Sequence, residues 1–132
     1  MEGHRIELQD ERRQIEVFVD GVTLASSTRV VVLRETGLPP RYYFPRDDVR
    51  MDFLEATPTE TVCPFKGQAS YWTFQSDTGE HRDLAWSYET PVPGMERIAG
   101  LVCFYAERAA HAIDGQRQEP PVSPWSPAKA DG

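Results

Sequence analysis

The segment from Ile15 to Leu24 constrains the fold more than any other part of the chain. Apolar residues recur at positions 15, 17 and 19, which is the period-two pattern of a strand with one buried face. Asp20 and Gly21 follow, and both residue types tolerate the positive φ angles that a type I′ turn requires. The sequence therefore predicts a β-hairpin here, and with it antiparallel pairing.

Four further segments are β-prone, because each holds a short run of β-branched or aromatic residues bounded by polar or turn-forming residues. They span residues 29–34, 41–44, 69–74 and 84–88. We expect a mainly β domain of at least six strands with one short helix.

The short helix is expected after Pro45, because proline fits the first helical position and acidic residues favour a helix's first turn. Residues 61–67 are predicted to form a loop, punctuated by Pro64 and Gly67. Residues 97–112 suit either a helix or a strand by pattern alone. Gly100 weakens a helix interior and a turn follows at 113–115, so we favour a strand.

Charge and length limit the function classes. The 132 residues are the usual size of one domain. There are 14 Lys and Arg against 21 Asp and Glu, a formal net charge of −7, which disfavours nucleic-acid binding although a local basic patch of Arg41, Arg46, Arg50 and Lys66 remains open.

The two cysteines, Cys63 and Cys103, do not form a Cys-x-x-Cys pair, and the three histidines lie in unrelated contexts. A four-ligand structural zinc site needs ligands in spaced pairs, which this chain does not supply, so we predict no bound metal and no cofactor.

No apolar run marks a signal peptide or a membrane span, so we expect a cytoplasmic protein with reduced thiols and no membrane partner. Residues 116–132 are rich in proline and polar residues. We therefore expect a domain over residues 1–115 and a disordered or surface-draped tail after it.

Several blocks in this order carry a resemblance to a known family. The two most specific are Tyr43-Phe44-Pro45-Arg46-Asp47-Asp48-Val49 and Cys63-Pro64-Phe65-Lys66-Gly67. With the blocks around 18–27, 68–71, 85–91 and 100–105, they closely resemble the DUF427 family, a bacterial and fungal group of unknown function. The resemblance covers residues 6–115.

The resemblance implies a β-tent (Mss4-like) fold, in which two antiparallel sheets lean together with a pocket between them. Several relatives with this fold hold zinc with two Cys-x-x-Cys pairs. This chain lacks those pairs, so the resemblance implies no zinc here. Fold kinship supplies no activity.

Aromatic residues of these blocks are the main candidates for a binding site. Trp86 and Tyr88 share one face of their strand, because side chains two residues apart point the same way, and Tyr71 shares a face with Thr73. Together with Tyr43, such rings with polar tips suit a small-molecule pocket. The alternative is a core in which the hydroxyl groups find buried partners.

Two cations complete the predicted site. Arg46 and Lys66 suit the carboxylate or phosphate of a ligand, whereas the alternative is local ion pairing with Asp47, Asp48 or Glu89. The predicted ligand-binding residues are Tyr43, Arg46, Lys66, Tyr71, Trp86 and Tyr88.

Three function classes remain open. The first class is a protein that binds a small molecule in a pocket between the sheets. The molecule would be anionic if Arg46 and Lys66 hold it. Alternatively, the chain is an enzyme that acts on a small substrate through Cys63 or a Tyr/Lys/Asp set. The third class is a protein-interaction module that uses the proline-rich tail. The sequence does not indicate the oligomeric state.

Overall fold

A computed structural model of the chain describes residues 3–127. Within them the backbone forms eleven strands and three single 3-10 turns. In chain order the strands are Ile6–Glu11 (β1), Ile15–Val19 (β2), Val22–Ser27 (β3), Val30–Glu35 (β4), Arg41–Phe44 (β5), Leu54–Cys63 (β6), Gly67–Ser76 (β7), Gly79–Tyr88 (β8), Val102–Phe104 (β9), Ala110–Ile113 (β10) and Gln116–Arg117 (β11).

The strands pair into two antiparallel sheets, as the family resemblance implies. The large sheet has seven strands in the order β1-β4-β5-β9-β8-β7-β6, and the small sheet has four in the order β11-β10-β2-β3. Four of the six neighbouring pairs in the large sheet join strands that are consecutive in the sequence. In a fifth pair, β1 lies beside β4 after the chain has passed through β2 and β3 of the small sheet. The exception is β5 with β9, whose partners Tyr43 and Cys103 are 60 positions apart by number.

The predicted hairpin is confirmed. Val19 pairs with Val22, and the turn residues Asp20 and Gly21 have φ angles of 52° and 77°. Both angles lie in the left-handed region that a type I′ turn needs. The local sequence is sufficient to specify this turn.

The main core lies between the two sheets. Ile15, Val17 and Leu24 of the small sheet pack with Phe44 and Phe104 of the large sheet, and all five are buried. A second buried cluster contains residues of the large sheet and its connections but none of the small sheet, among the residues described. The large sheet is therefore covered on one face by the small sheet and carries a separate aromatic cluster on the other.

The short helix predicted after Pro45 is present only as isolated 3-10 turns, at Arg46–Asp48 and Met51–Phe53. Between them Val49 is extended and forms a bridge to Ala25, while the Arg50 N–H donates to the Leu24 carbonyl. Pairing with β3 thus takes the backbone groups that a longer helix would use.

The loop predicted over residues 61–67 is wrong in its first half, because Thr61 to Cys63 complete strand β6. This strand also includes Pro58, which lies where the register with β7 shifts between Ala56 and Glu60. A proline is tolerated there because β6 is an edge strand and the shift leaves residues unpaired. Only the turn at 64–66 remains of the predicted loop.

The preference for strand over residues 97–112 is confirmed in part. After a 3-10 turn at Glu96–Ile98, the segment contains β9 of the large sheet and the start of β10 of the small sheet. It therefore crosses from one sheet to the other rather than forming a single element.

The segment after residue 115 begins with β11, which pairs with β10. Residues 118–127 follow without regular structure, and residues 128–132 of the predicted tail lie outside the described residues. The division of the chain at residue 115 stays a prediction. No helix within 3–127 is long and apolar enough to cross a membrane.

Candidate functional site

A row of side chains crosses the uncovered face of the large sheet. Tyr43 pairs with Cys103, Cys103 with Trp86, and Trp86 with Tyr71, across strands β5, β9, β8 and β7. Directly paired residues point to the same face, so this register aligns the four side chains. All four belong to the aromatic cluster that faces away from the small sheet.

A cavity of about 310 Å³ lies over this row. Its walls come from the large sheet, from the connections beside it and from one residue of the C-terminal segment. The lining residues are Leu33, Glu35, Leu38, Pro39, Arg41, Tyr43, Thr61, Cys63, Lys66, Tyr71, Trp86, Tyr88, Tyr105 and Trp125. We refer to this space as the aromatic cavity.

The predicted aromatic residues do not lie between the two sheets, where the main core packs. A separate cavity of about 610 Å³ is lined by residues of both sheets, including Tyr42 of β5 and His111 of β10, but by none of the six predicted site residues. The aromatic cavity instead lies on the opposite face of the large sheet, because alternation along each strand sends Tyr43 to that face and Phe44 to the core.

Five of the six predicted site residues line the aromatic cavity, namely Tyr43, Lys66, Tyr71, Trp86 and Tyr88. Arg46 does not. Its guanidinium donates to the Gly100 carbonyl at 2.9 Å, forms an ion pair with Glu89 and lies 5.1 Å from the centre of the Trp72 ring. The alternative of local ion pairing therefore describes Arg46.

Arg41 provides the cavity's guanidinium in place of Arg46. Its two terminal nitrogens donate to the two carboxylate oxygens of Glu107 at 2.7 and 2.8 Å, and the Glu107 side chain is 0% exposed. Burial by itself would raise the pKa of Glu107, but the hydrogen bonds from Arg41 and Ser123 outweigh it and keep the pKa below its usual value. Arg41 is two residues before Tyr43 on the same strand, so alternation predicts that the two side chains share a face. The sequence could therefore have identified Arg41 as a site residue.

Lys66 is part of a second buried ion pair. Its ammonium donates to Glu35 at 2.6 Å, and the other oxygen of Glu35 lies 3.0 Å from the imidazole Nε2 of His4. Burial opposes ionisation of Glu35, yet these hydrogen bonds lower its pKa overall. The Lys66 ammonium also lies 3.8 Å from the sulfur of Cys63, which is half-buried at the cavity wall.

The phenol groups differ in how they are paired. The Trp86 indole donates to the Tyr43 hydroxyl at 3.2 Å, and the Tyr71 hydroxyl bonds Thr61 at 2.9 Å. The Tyr88 hydroxyl makes no hydrogen bond to any residue in the described range. Burial raises the pKa of Tyr88, so its hydroxyl stays protonated and can donate to a ligand.

Trp125, which the sequence analysis did not single out, forms one wall of the aromatic cavity. The guanidinium carbon of Arg41 lies 5.4 Å from the Trp86 ring centre, 5.5 Å from that of Tyr105 and 5.7 Å from that of Trp125. Three rings therefore surround one cation at distances typical of cation–π contacts. The only sequence signal for Trp125 is an isolated tryptophan in a segment with little else to bury.

Residues 3–127 hold no group of three or more His, Cys, Asp and Glu side chains that could bind a metal ion. The absence of zinc stays a prediction, which elemental analysis of the purified protein tests. His111 is buried in β10 of the small sheet, where its ring is hydrogen-bonded to the Ala109 carbonyl. Burial lowers the pKa of His111 to about 4.

Fold and site together define a mainly β, two-sheet domain with an aromatic cavity on the outer face of its larger sheet. The family model described as a domain of unknown function (DUF427) matches residues 7–115. The chain belongs to this family, as the resemblance of its motifs indicates. No curated protein matches the chain. The five predicted site residues that line the aromatic cavity lie within the matched range, whereas Trp125 lies beyond it.

Proposed function

We propose that this chain binds a small, uncharged molecule in the aromatic cavity. One observation carries the proposal: residues remote in sequence converge on a cavity where the hydroxyl of Tyr88 has no partner among the described residues. The Tyr88 hydroxyl is not one of the fully enclosed polar atoms that lack a partner within the described residues, so it is accessible and available to donate to a ligand in the cavity that Tyr88 lines. A volume of about 310 Å³ is at the lower end of the usual range for ligand sites.

The charges of the cavity favour a ligand without net charge. Arg41 is paired with Glu107 and Lys66 with Glu35, so the two cations are already matched by two carboxylates. An anion placed beside these carboxylates would meet repulsion as well as attraction. A flat, uncharged molecule with a carbonyl oxygen can accept from Tyr88 and bury its apolar body against the rings.

Chemistry at Cys63 is the second candidate, and the 3.8 Å approach of the Lys66 ammonium to its sulfur favours it. A nearby cation stabilises a thiolate, which is the nucleophilic form of cysteine. No aspartate lines the aromatic cavity in the described part of the chain, so the Tyr/Lys/Asp form of an enzyme has no support from the geometry.

Titration with benzamide and benzoate tests the binding proposal. The two probes share a ring and a carbonyl oxygen but differ in charge, and the tryptophan fluorescence of the protein reports binding beside Trp86. We expect benzamide to bind and benzoate to bind more weakly. Tyr88→Phe removes only the unpaired hydroxyl and should weaken benzamide binding by roughly 5–10-fold.

Tyr42→Phe is the matched control, because Tyr42 precedes Tyr43 on β5 and packs against the main core on the other face. It should bind benzamide as the wild type does. Tighter binding of benzoate would show that the ligand is an anion, as the sequence suggested. An equal loss in both tyrosine variants, or no binding of either probe, would overturn the proposal.

A further inference from the structure

Trp125 lies between two cavities. One is the aromatic cavity, and the other is a space of about 240 Å³ lined by Thr59, Thr61, Tyr71, Asp83, Tyr105, Arg108 and Trp125. Thr61, Tyr71, Tyr105 and Trp125 line both. Trp125 is thus one of the residues at the boundary between the two cavities, and the only one of the four that belongs to the C-terminal segment.

The attachment of Trp125 to the domain is weak. The ring is 44% exposed, and Val122, three residues earlier, is 93% exposed. The segment after Gln118 is joined to the preceding residues by one side-chain hydrogen bond within the described range, from the Ser123 hydroxyl to Glu107 at 2.5 Å. Its other hydrogen bonds lie inside the segment: Ser126 bonds Pro121 and Ser123, and the backbone N–H of Trp125 donates to the Ser123 hydroxyl.

The surface that Trp125 covers is, in contrast, held firmly. Both terminal nitrogens of Arg41 are fixed by Glu107, and the guanidinium already contacts the rings of Trp86 and Tyr105. A guanidinium fixed in this way presents a flat surface on which a planar ring can stack. The two hydrogen bonds of the Arg41–Glu107 pair do not involve Trp125, so the indole is not needed to form the pair.

We propose that Trp125 occupies the ring-stacking position of the ligand, and that the ligand is a flat bicyclic aromatic molecule which replaces the indole on Arg41. This inference rests on the proposed function and names the class of ligand. Displacement of Trp125 joins the two cavities, which gives a two-ring molecule more room than the aromatic cavity alone. The C-terminal segment then acts as a competitor that lowers the apparent affinity of the site.

Calorimetric titration with indole-3-carboxamide tests the inference, because this probe carries the ring of Trp125 and a carbonyl acceptor for Tyr88. Trp125→Ala removes the competitor, and since the ring is half exposed in an irregular segment, the fold does not depend on it. We expect the dissociation constant to fall by about tenfold in this variant. Ser123→Ala, which removes the bond to Glu107, should also lower it, whereas Val122→Ala serves as the matched control and should leave it unchanged.

Nuclear magnetic resonance gives an independent measurement. The indole N–H signal of Trp125, assigned with Trp125→Phe, should move toward the position of an exposed indole when the probe is added to the wild type. The signal of Trp86 should shift but keep the signature of a buried group.

The outcomes separate the two proposals. If the wild type binds benzamide in a Tyr88-dependent manner but Trp125→Ala binds indole-3-carboxamide with unchanged or lower affinity, the displacement idea is wrong and the binding function stands. Lower affinity would mean that Trp125 closes over the ligand instead of giving way to it. If no probe binds the wild type or Trp125→Ala, both proposals fail.

Discussion

The guanidinium of Arg41 and the carboxylate of Glu107, 66 positions apart, form a two-bonded ion pair with distances of 2.7 and 2.8 Å. The pair links the first residue of β5 to the turn between β9 and β10. It also fixes the cation around which the rings of the aromatic cavity gather. Stability and site geometry therefore depend on the same two side chains.

Breaking this pair from one side should strongly destabilise the protein. In Arg41→Met the carboxylate of Glu107 stays buried without its partner, so we expect the free energy of unfolding in urea to fall by about 3–5 kcal/mol. The double variant Arg41→Met/Glu107→Gln should recover part of this loss. Arg50→Met, which breaks the exposed pair with Asp52, should change stability by less than about 1 kcal/mol. Equal effects of Arg41→Met and Arg50→Met would contradict the importance of burial.

Low pH should weaken the contact that Asp20, in the turn between β2 and β3, makes with residues at the turn between β7 and β8. Hydrogen bonds from Ser76, Thr78 and His81 lower the pKa of its carboxyl to about 2. Because the folded pKa is below the unfolded one, ionised Asp20 stabilises the fold at higher pH, and this contribution is lost as the pH falls toward 2. The difference in unfolding free energy between wild type and Asp20→Asn should thus be constant above about pH 5 and shrink below it.

Asparagine is suited to this test because it tolerates the positive φ of the turn as aspartate does. Asp77→Asn is the control, because it changes a nearby carboxylate that makes no side-chain hydrogen bond within residues 3–127. A constant difference at all pH values for Asp20→Asn would exclude its ionisation as the cause.

The two thiols should differ in reactivity. Burial raises the pKa of Cys103 to about 12, and its side chain is fully enclosed, so a soluble thiol reagent should modify it only after unfolding. Cys63 is half-buried at the wall of the aromatic cavity and should be the residue that reacts in the native state. Mass spectrometry after labelling checks this, with Cys63→Ser as the control. Saturating benzamide should slow the labelling of Cys63, and unchanged labelling would show that the probe binds elsewhere.

Replacement of Gly67 by alanine should destabilise the protein more than the same replacement at Gly79, although both glycines have a positive φ. Its φ is +125°, and an added Cβ would lie 3.2 Å from the backbone of Pro91, so Gly67→Ala combines strain with a close contact. Gly79 has a φ of +148° but open space around it, so Gly79→Ala measures strain alone. We expect thermal unfolding to show a loss of about 1–3 kcal/mol for Gly79→Ala and a larger loss for Gly67→Ala. Equal losses would mean that the approach of Pro91 has no energetic consequence.

Local sequence determined the elements whose conformation depends on neighbouring residues. The Asp20-Gly21 turn, the alternation that places Trp86 and Tyr88 on one face, and the family motifs could all be interpreted without coordinates, because turn dihedrals and strand periodicity are set over a few residues. The same reasoning failed at the end of β6, where Pro64 and Gly67 predict a loop over 61–67 but Thr61 to Cys63 pair with β7.

Tertiary structure decided which face holds the cavity and which charged residues reach it. The order of the strands brings Glu107 to Arg41 and Glu35 to Lys66, while Arg46 is drawn to Glu89. These choices depend on contacts between residues 31 to 66 positions apart, and no local dihedral preference encodes such pairings. The position of Trp125 has the same origin, because only the assembled sheet creates the surface of Arg41 on which its ring lies.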